Sequence, residues 1–322
     1  MKSLRMAVVG VGALGQHHAR ILASLPGVSL VGVVDTRPER AAEVAARHGT
    51  TPYVRAIDVL DAVDAVTVAV PTLAHVEVAL PFLERGVAVL LEKPLAATVE
   101  EADRVVAAAT RHGAVLAAGH TERFNPAVAA ALPLVSRPRF IEIHRLGAFP
   151  ERSLDIDVVF DVMIHDLDLL LACVGSDVVS VEAVGVNVLT PKTDIANARI
   201  RFASGCIANV TASRISRERI RKARFFQQES YISIDYAARE VEVYRLVPGA
   251  GRPAIEGGRI AVPDEEPLLR ELRDFVEAVR DGRTPGVTGA AGRDALALAA
   301  RVAGAMNTGE APTSRPQPQG TV

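Results

Sequence analysis

The chain is poor in cysteine: Cys173 and Cys206 are the only two thiols in 322 residues. Each falls in an apolar run, so they read as small core residues rather than as a disulfide framework or a metal cluster. Histidine and cysteine nowhere adopt ligand spacing, and no metal site is expected. Charge of one sign is missing as well. The 36 basic residues against 38 acidic ones leave a net charge of −2, which gives no bulk attraction for nucleic acid or an anionic membrane. No apolar run approaches the about 20 residues that span a bilayer. The N-terminal residues carry no signal-peptide core, so a cytoplasmic protein is expected. Internal repeats are absent. Residues 308–322 hold hardly an apolar side chain among Pro, Gly, Ser, Thr and Gln, and a disordered tail is expected there.

What remains is ordinary globular composition, 49% apolar and 23% charged, at a length that favours two domains. The first 120 residues alternate short, nearly continuous apolar strands with amphipathic helices, the pattern of a parallel α/β sheet covered on both faces. Past Pro126 several strands alternate with period two, as in Ala198-Arg199-Ile200-Arg201-Phe202, and one long helix is expected over 157–174. Two more helices close the chain. The expected organisation is a dinucleotide-binding Rossmann domain over 1–122 and an α+β domain with a large, mainly antiparallel sheet over 123–307. The free face of such a sheet suits a homodimer or homotetramer.

The first strand, Met6–Val9, runs into Gly10-Val11-Gly12-Ala13-Leu14-Gly15, and Asp35 closes the second strand twenty residues after Gly15. Gly10 permits the tight turn, Gly12 lets backbone approach a pyrophosphate, and Gly15 lets the next helix pack closely. Ala13 and Leu14 lie where the helix N-terminus would face phosphates. Asp35, followed by Thr36, is placed to accept ribose hydroxyls and to repel a 2′-phosphate. NAD is therefore expected over NADP, although Arg37 and Arg40 stand where a 2′-phosphate would want them.

Chemistry is expected at the carboxyl ends of the strands. Glu92-Lys93-Pro94 follows strand 88–91, which puts Glu92 and Lys93 at the rim where a nicotinamide would lie. Lys93 there could favour a substrate alkoxide; a surface lysine is the plainer alternative. Asp161 and His165 are four residues apart in an apolar helix, so the carboxylate could orient the imidazole and raise its pKa, making His165 a general base. An ordinary surface pair is the alternative. Pro71, Thr72 and His75 end the central strand and either cap a helix or contact the cofactor. Arg123 and Asn125 either hold substrate oxygens or form a linker. The run Arg214–Arg224 has five arginines and Lys222 against one Glu218. It is either a solvated loop or an anchor for an anionic substrate such as a nucleotide diphosphate, with Arg214 as a substrate candidate; aromatic residues for nucleic-acid stacking are not interleaved.

Together Gly10-x-Gly12-x-x-Gly15-x-x-His18-Ala19, Pro71-Thr72-x-x-His75, Glu92-Lys93-Pro94, Arg123-Phe124-Asn125-Pro126 and Asp161-x-x-x-His165-Asp166 resemble the glucose–fructose oxidoreductase/inositol dehydrogenase/MocA family, over nearly the whole chain. The resemblance implies a Rossmann domain with a bound nicotinamide cofactor and a C-terminal sheet used for oligomerisation. It also implies catalytic roles for Lys93 and His165, Asp161 in the substrate site, and a cis Lys93–Pro94 bond. Within the family, His120–Pro126 and Arg224–Tyr231 look like the branch acting on carbon 3 of UDP-N-acetylglucosamine, which serves lipid A or other surface glycans. The expected reaction is hydride transfer from a sugar carbinol carbon to NAD. An inositol or free-sugar dehydrogenase, or a non-catalytic dinucleotide sensor, would share the fold.

Overall fold

A computed structural model describes residues 3–149, 156–248 and 254–306; the expected disordered tail lies outside the described residues. The chain builds two sheets. Strands β1 (Leu4–Val9), β2 (Val28–Val34), β3 (Thr51–Tyr53), β4 (Ala65–Val68), β5 (Ala88–Glu92) and β6 (Leu116–Gly119) pair in parallel in the order β3-β2-β1-β4-β5-β6. All residues of β4 and β5 are buried, which is why they read as unbroken apolar runs rather than alternations. Helices α1 (Gly15–Ser24), α2 (Pro38–His48), α3 (His75–Glu84) and α4 (Val99–His112) provide crossovers. The start of α4 is fixed locally: Thr98 Oγ1 accepts from the Glu101 N–H, and the Glu101 carboxylate accepts from the Ala97 N–H, a reciprocal cap. Strand order reverses between β1 and β4, and a crevice opens beyond their carboxyl ends.

After the short helix α5 (Pro126–Ala131) come β7 (Phe140–Leu146), α6 (Ile164–Val174), and strands β8 (Val178–Val186), β9 (Ile195–Phe202), β10 (Ile207–Ser213), β11 (Ile220–Phe226), β12 (Ser230–Asp235), β13 (Glu240–Val247) and β14 (Ala254–Ile260). They form a mixed sheet, β14-β13-β12-β11-β7-β10-β9-β8. Its pairs are antiparallel except β7 with β10, which run parallel because α6 and the β8–β9 hairpin intervene between them. Edge strand β14 carries Gly257-Gly258 in its middle, which hides it from a propensity reading. One face of the sheet packs on α6 through Leu167 and Leu170, and on the last helix, α8 (Gly289–Met306), through Leu298 and Val302.

Helix α7 (Pro267–Asp281) and α8 do not stay with the second sheet. Leu272, Phe275 and Val276 of α7 share a core with Met6, Val8 and Leu22, and Leu296 of α8 packs with Leu116 and Ala118. The last two helices thus contribute to the cores on both sheets.

Candidate active site

The glycine turn after β1 is shaped by contact. Gly10 has φ +84°, and a Cβ on it would sit 2.7 Å from the Ala69 carbonyl oxygen. A Cβ on Gly15 would fall 1.8 Å from the Gly10 carbonyl oxygen. Gly12 differs, since a Cβ there would meet nothing within 4 Å. Among the described residues the N–H groups of Gly12, Ala13 and Leu14 find no protein acceptor. An open backbone approach with unpaired donors ahead of α1 fits a pyrophosphate. Asp35 is pinned to this turn: its Oδ2 accepts from the Val11 N–H at 3.2 Å and its Oδ1 from the Arg37 N–H at 3.0 Å. Thr36 is exposed at the same rim.

Arg40 is spent on the protein itself. Its Nε donates to the Val11 carbonyl at 2.8 Å, and its other nitrogens donate to Gln16 and Glu43. The adjoining groove, about 580 Å³, is lined by Gly12, Ala13, Gln16, Arg37, Glu39, Arg40 and Glu43. With Arg40 committed, and Asp35, Glu39 and Glu43 nearby, this surface suits a free ribose diol and disfavours a 2′-phosphate. The residues present fit NAD.

Lys93 leaves the end of β5 across a cis Lys93–Pro94 bond. Its Nζ donates to the Asp161 carbonyl at 2.7 Å and to Asp161 Oδ1 at 3.0 Å. Asp161 lies in a π-helical stretch, Val159–Met163, that leads into α6, a feature often found at functional sites. The pairing of Asp161 with His165 expected from α-helical spacing does not form. The i→i+5 register interrupts that spacing, and the carboxylate turns to Lys93 instead. His165 is half-buried, with an enclosed Nδ1 that has no hydrogen-bond partner. Its Nε2 is neither enclosed nor bonded among the described residues and is left for the cleft. Burial, with Lys93, Arg145, His120 and Arg221 around it, holds the His165 imidazole well below the usual histidine range. The expected rise is therefore corrected to a fall, and His165 is neutral at neutral pH.

Other expected contacts are used within the protein. His75 is buried; Nδ1 lies 3.0 Å from the Pro94 carbonyl and Nε2 3.1 Å from that of Val70, so it braces the turn after Lys93 and has no free nitrogen for a cofactor. Pro71 is exposed and Thr72 half-buried at the crevice. Glu92, the last residue of β5, is 5% exposed and accepts from the Lys93 N–H. The Arg123 fork is taken by Asp168 at 2.7 and 3.1 Å. Asn125 caps α5 through the Ala127 N–H and donates to the Tyr236 carbonyl. Arg214 is buried against Asp194, the Ile156 carbonyl and Thr190, which corrects its expected place in an exposed anchor. Burial would raise the Asp194 pKa, but the N–H groups of Val188, Leu189 and Thr190 and the Thr190 hydroxyl outweigh it and hold the carboxyl far below its ordinary value.

Beneath the cleft lies a buried ionic core that sequence reading missed. Arg145 on β7 grips Asp166 with two hydrogen bonds of 2.8 Å, lies 3.5 Å from Glu122, and stacks over Tyr236 at 5.3 Å. Arg221 on β11 is the register partner of Arg145. It is half-buried, and its side chain makes no ion pair or hydrogen bond among the described residues. The available signal was Asp166 beside His165, which the helical reading passed over.

Comparison with known proteins agrees with this layout. Residues 4–120 match the profile of an oxidoreductase family with an NAD-binding Rossmann fold, and residues 137–231 match the GFO/IDH/MocA C-terminal domain. The chain is 39% identical over 305 residues to UDP-N-acetylglucosamine 3-dehydrogenase of Acidithiobacillus ferrooxidans, covering 94% of this chain and 97% of that protein. It is 30% identical to scyllo-inositol 2-dehydrogenase (NAD(+)) of Bacillus subtilis, covering 88% and 89%. The solved A. ferrooxidans enzyme superposes with a TM-score of 0.89 at 38% identity, covering 95% of this chain and 98% of the other. Levoglucosan dehydrogenase in complex with NADH and levoglucosan gives 0.85 at 22% identity, covering 95% and 98%, a likeness of fold.

Proposed function

The chain belongs to the GFO/IDH/MocA family of NAD-dependent sugar oxidoreductases, and from that premise we propose that it oxidises the 3-hydroxyl of UDP-N-acetylglucosamine to a ketone in surface-glycan synthesis. The observation that carries the chemistry is the meeting of Lys93, Asp161 and His165 beyond β5, with Nε2 of a neutral His165 left for substrate. NAD, when bound, supplies the oxidant that takes the carbinol hydrogen with its electron pair. Gly12, Ala13 and Leu14 would meet its phosphates, and Asp35 a ribose. His165 takes the hydroxyl proton at Nε2. The Lys93 ammonium, held by Asp161, stabilises the charge developing on the substrate oxygen.

The nucleotide-sugar assignment draws on the relative that matches nearly end to end and on Arg221. Its guanidinium is half-buried, lacks a carboxylate of its own, and lies near enough to His165 for its charge to act there. It is the candidate anchor for a diphosphate, in place of Arg214. The outer sheet face carries the ring series Phe140, Phe226, Tyr231 and Tyr244, which supports assembly of like copies there.

The test is NAD reduction followed by absorbance with UDP-N-acetylglucosamine, free inositol and free hexoses. Reduction with the UDP-sugar alone, and a raised KM for it in Arg221→Met, is expected. Reduction with a free polyol instead would keep the family and overturn the substrate. Nicotinamide binding without any turnover would favour a sensor.

A further inference from the structure

Polar atoms buried without a partner are rare in folded proteins, and they mark water sites or functional groups. Among the described residues there are ten such atoms, and seven of them belong to five titratable side chains near the cleft. His165 Nδ1, both ring nitrogens of His120, both of His18, Glu92 Oε1 and Glu271 Oε1 are all enclosed without a hydrogen bond. They come from four elements and the turn after β6. His18 is on α1, Glu92 on β5, His120 just past β6, His165 on α6 and Glu271 on α7.

Several of them are in contact, directly or through the residues beside them. The rings of His165 and His120 meet edge to face, 5.9 Å between centroids. His120 is 1% exposed, and the residues on either side of it each touch a buried carboxylate. Gly119 is the register partner of Glu92, and a Cβ on it would lie 2.8 Å from both carboxylate oxygens. Thr121 Oγ1 donates to Glu271 Oε2 at 2.8 Å. Glu92 Oε1 in turn lies 3.2 Å from His18 Nε2, close but not aligned for a hydrogen bond.

We propose that His120 is the positioning and proton-accepting partner of His165. It takes a hydrogen bond from Nδ1–H, directly or through one water, and passes protons inward to the Glu92–Glu271 carboxyl pair. An acceptor on Nδ1 fixes the tautomer in which Nε2 carries a lone pair toward the substrate, the role first expected of Asp161. The proton count closes. The hydroxyl proton bonds to His165 Nε2, the Nδ1 proton moves to one nitrogen of His120, and the proton on the other His120 nitrogen moves to a carboxylate oxygen. The substrate oxygen keeps the O–H electron pair and forms the carbonyl as the carbon's hydrogen leaves with its own pair. Lys93, Glu92, Arg123 and Asp168 are the charged groups around His120. Burial, with the charge of Glu92 next, keeps Glu271 well above the ordinary carboxyl range.

The relay step rests on the proposed oxidation; the tautomer does not, so the experiment separates them. The full chain, labelled with ¹⁵N-histidine, is examined by NMR without substrate as wild type, His120→Leu and His120→Gln. Wild-type His165 should be the Nδ1–H tautomer. His120→Gln, whose amide oxygen can accept but not relay, should keep it, and His120→Leu should lose it. With the sugar that turns over, kcat should fall roughly 10- to 100-fold in both variants, below the full range of an acid–base group. KM, NAD affinity and melting temperature should hold, and the pH profile of kcat should shift. An unchanged His165 spectrum in His120→Leu, or parallel losses of kcat, NAD affinity and melting temperature in both variants, would overturn the proposal. Inactivity toward UDP-N-acetylglucosamine with the expected spectra would overturn the substrate assignment alone.

Discussion

Replacing Gly12 by alanine should leave the free protein as stable as before while it binds NAD poorly. The added methyl meets no atom within 4 Å, and Gly12 is not among the positive-φ glycines. The change to folding stability should therefore stay within about 0.5 kcal/mol, or roughly 2 °C in melting temperature. The space the methyl enters is the approach to the turn's unpaired N–H groups. Crowding that approach should cost about 1–3 kcal/mol of binding, a loss of roughly 5- to 150-fold in NAD affinity. Gly15→Ala is the control of opposite kind, because its methyl would lie 1.8 Å from the Gly10 carbonyl oxygen and must disrupt the fold itself. Thermal unfolding without nucleotide and calorimetric titration with NAD measure the two effects separately. Unchanged affinity in Gly12→Ala, or a melting temperature that falls as in Gly15→Ala, would refute the reasoning.

Lys93→Ala and His165→Ala should each lower turnover at least ~100-fold in steady-state assays, with NAD titration still showing a folded nucleotide site. Arg145→Met leaves Asp166 buried without its cation and should cost about 3–5 kcal/mol in urea unfolding, whereas adding Asp166→Leu should recover most of that loss. Glu271→Gln should become more stable relative to wild type as pH rises above the ordinary carboxyl value of 4.5. Above that value the unfolded wild-type chain releases the Glu271 proton while the folded chain keeps it. Folded wild type therefore loses up to about 1.4 kcal/mol per pH unit until the raised pKa is passed, and glutamine does not. Stability curves that stay parallel from pH 4.5 to 7 would contradict this.

The nucleotide half of the site was legible because its determinants are local: a strand, a turn whose glycines are forced by contact, and an acid at a fixed distance. Lys93 was legible for the same reason, since the end of a buried parallel strand is a defined place. What failed was pairing across the fold. Arg123, Asn125 and Arg214 looked available in a sequence that does not show Asp168, the Tyr236 carbonyl or Asp194 waiting for them. Asp161 was matched to His165 by α-helical arithmetic, and nothing in Val159–Met163 announces a π turn. His18, His120 and Glu271 are far apart in sequence and lie on apolar faces, so no spacing joins them before the chain is folded.

The return of α7 to the first sheet bears on synthesis at the ribosome. Met6, Val8, Ile21, Leu22 and Leu90 share a core with Leu272, Phe275 and Val276, so the half of the molecule made first is completed by nearly the last helix made. At about 5–20 residues per second, translation from β6 to the middle of α7 takes roughly 8–30 s. During that interval α1 and α2 cover only part of that apolar face, and an arrest or truncation before α7 would leave the rest bare.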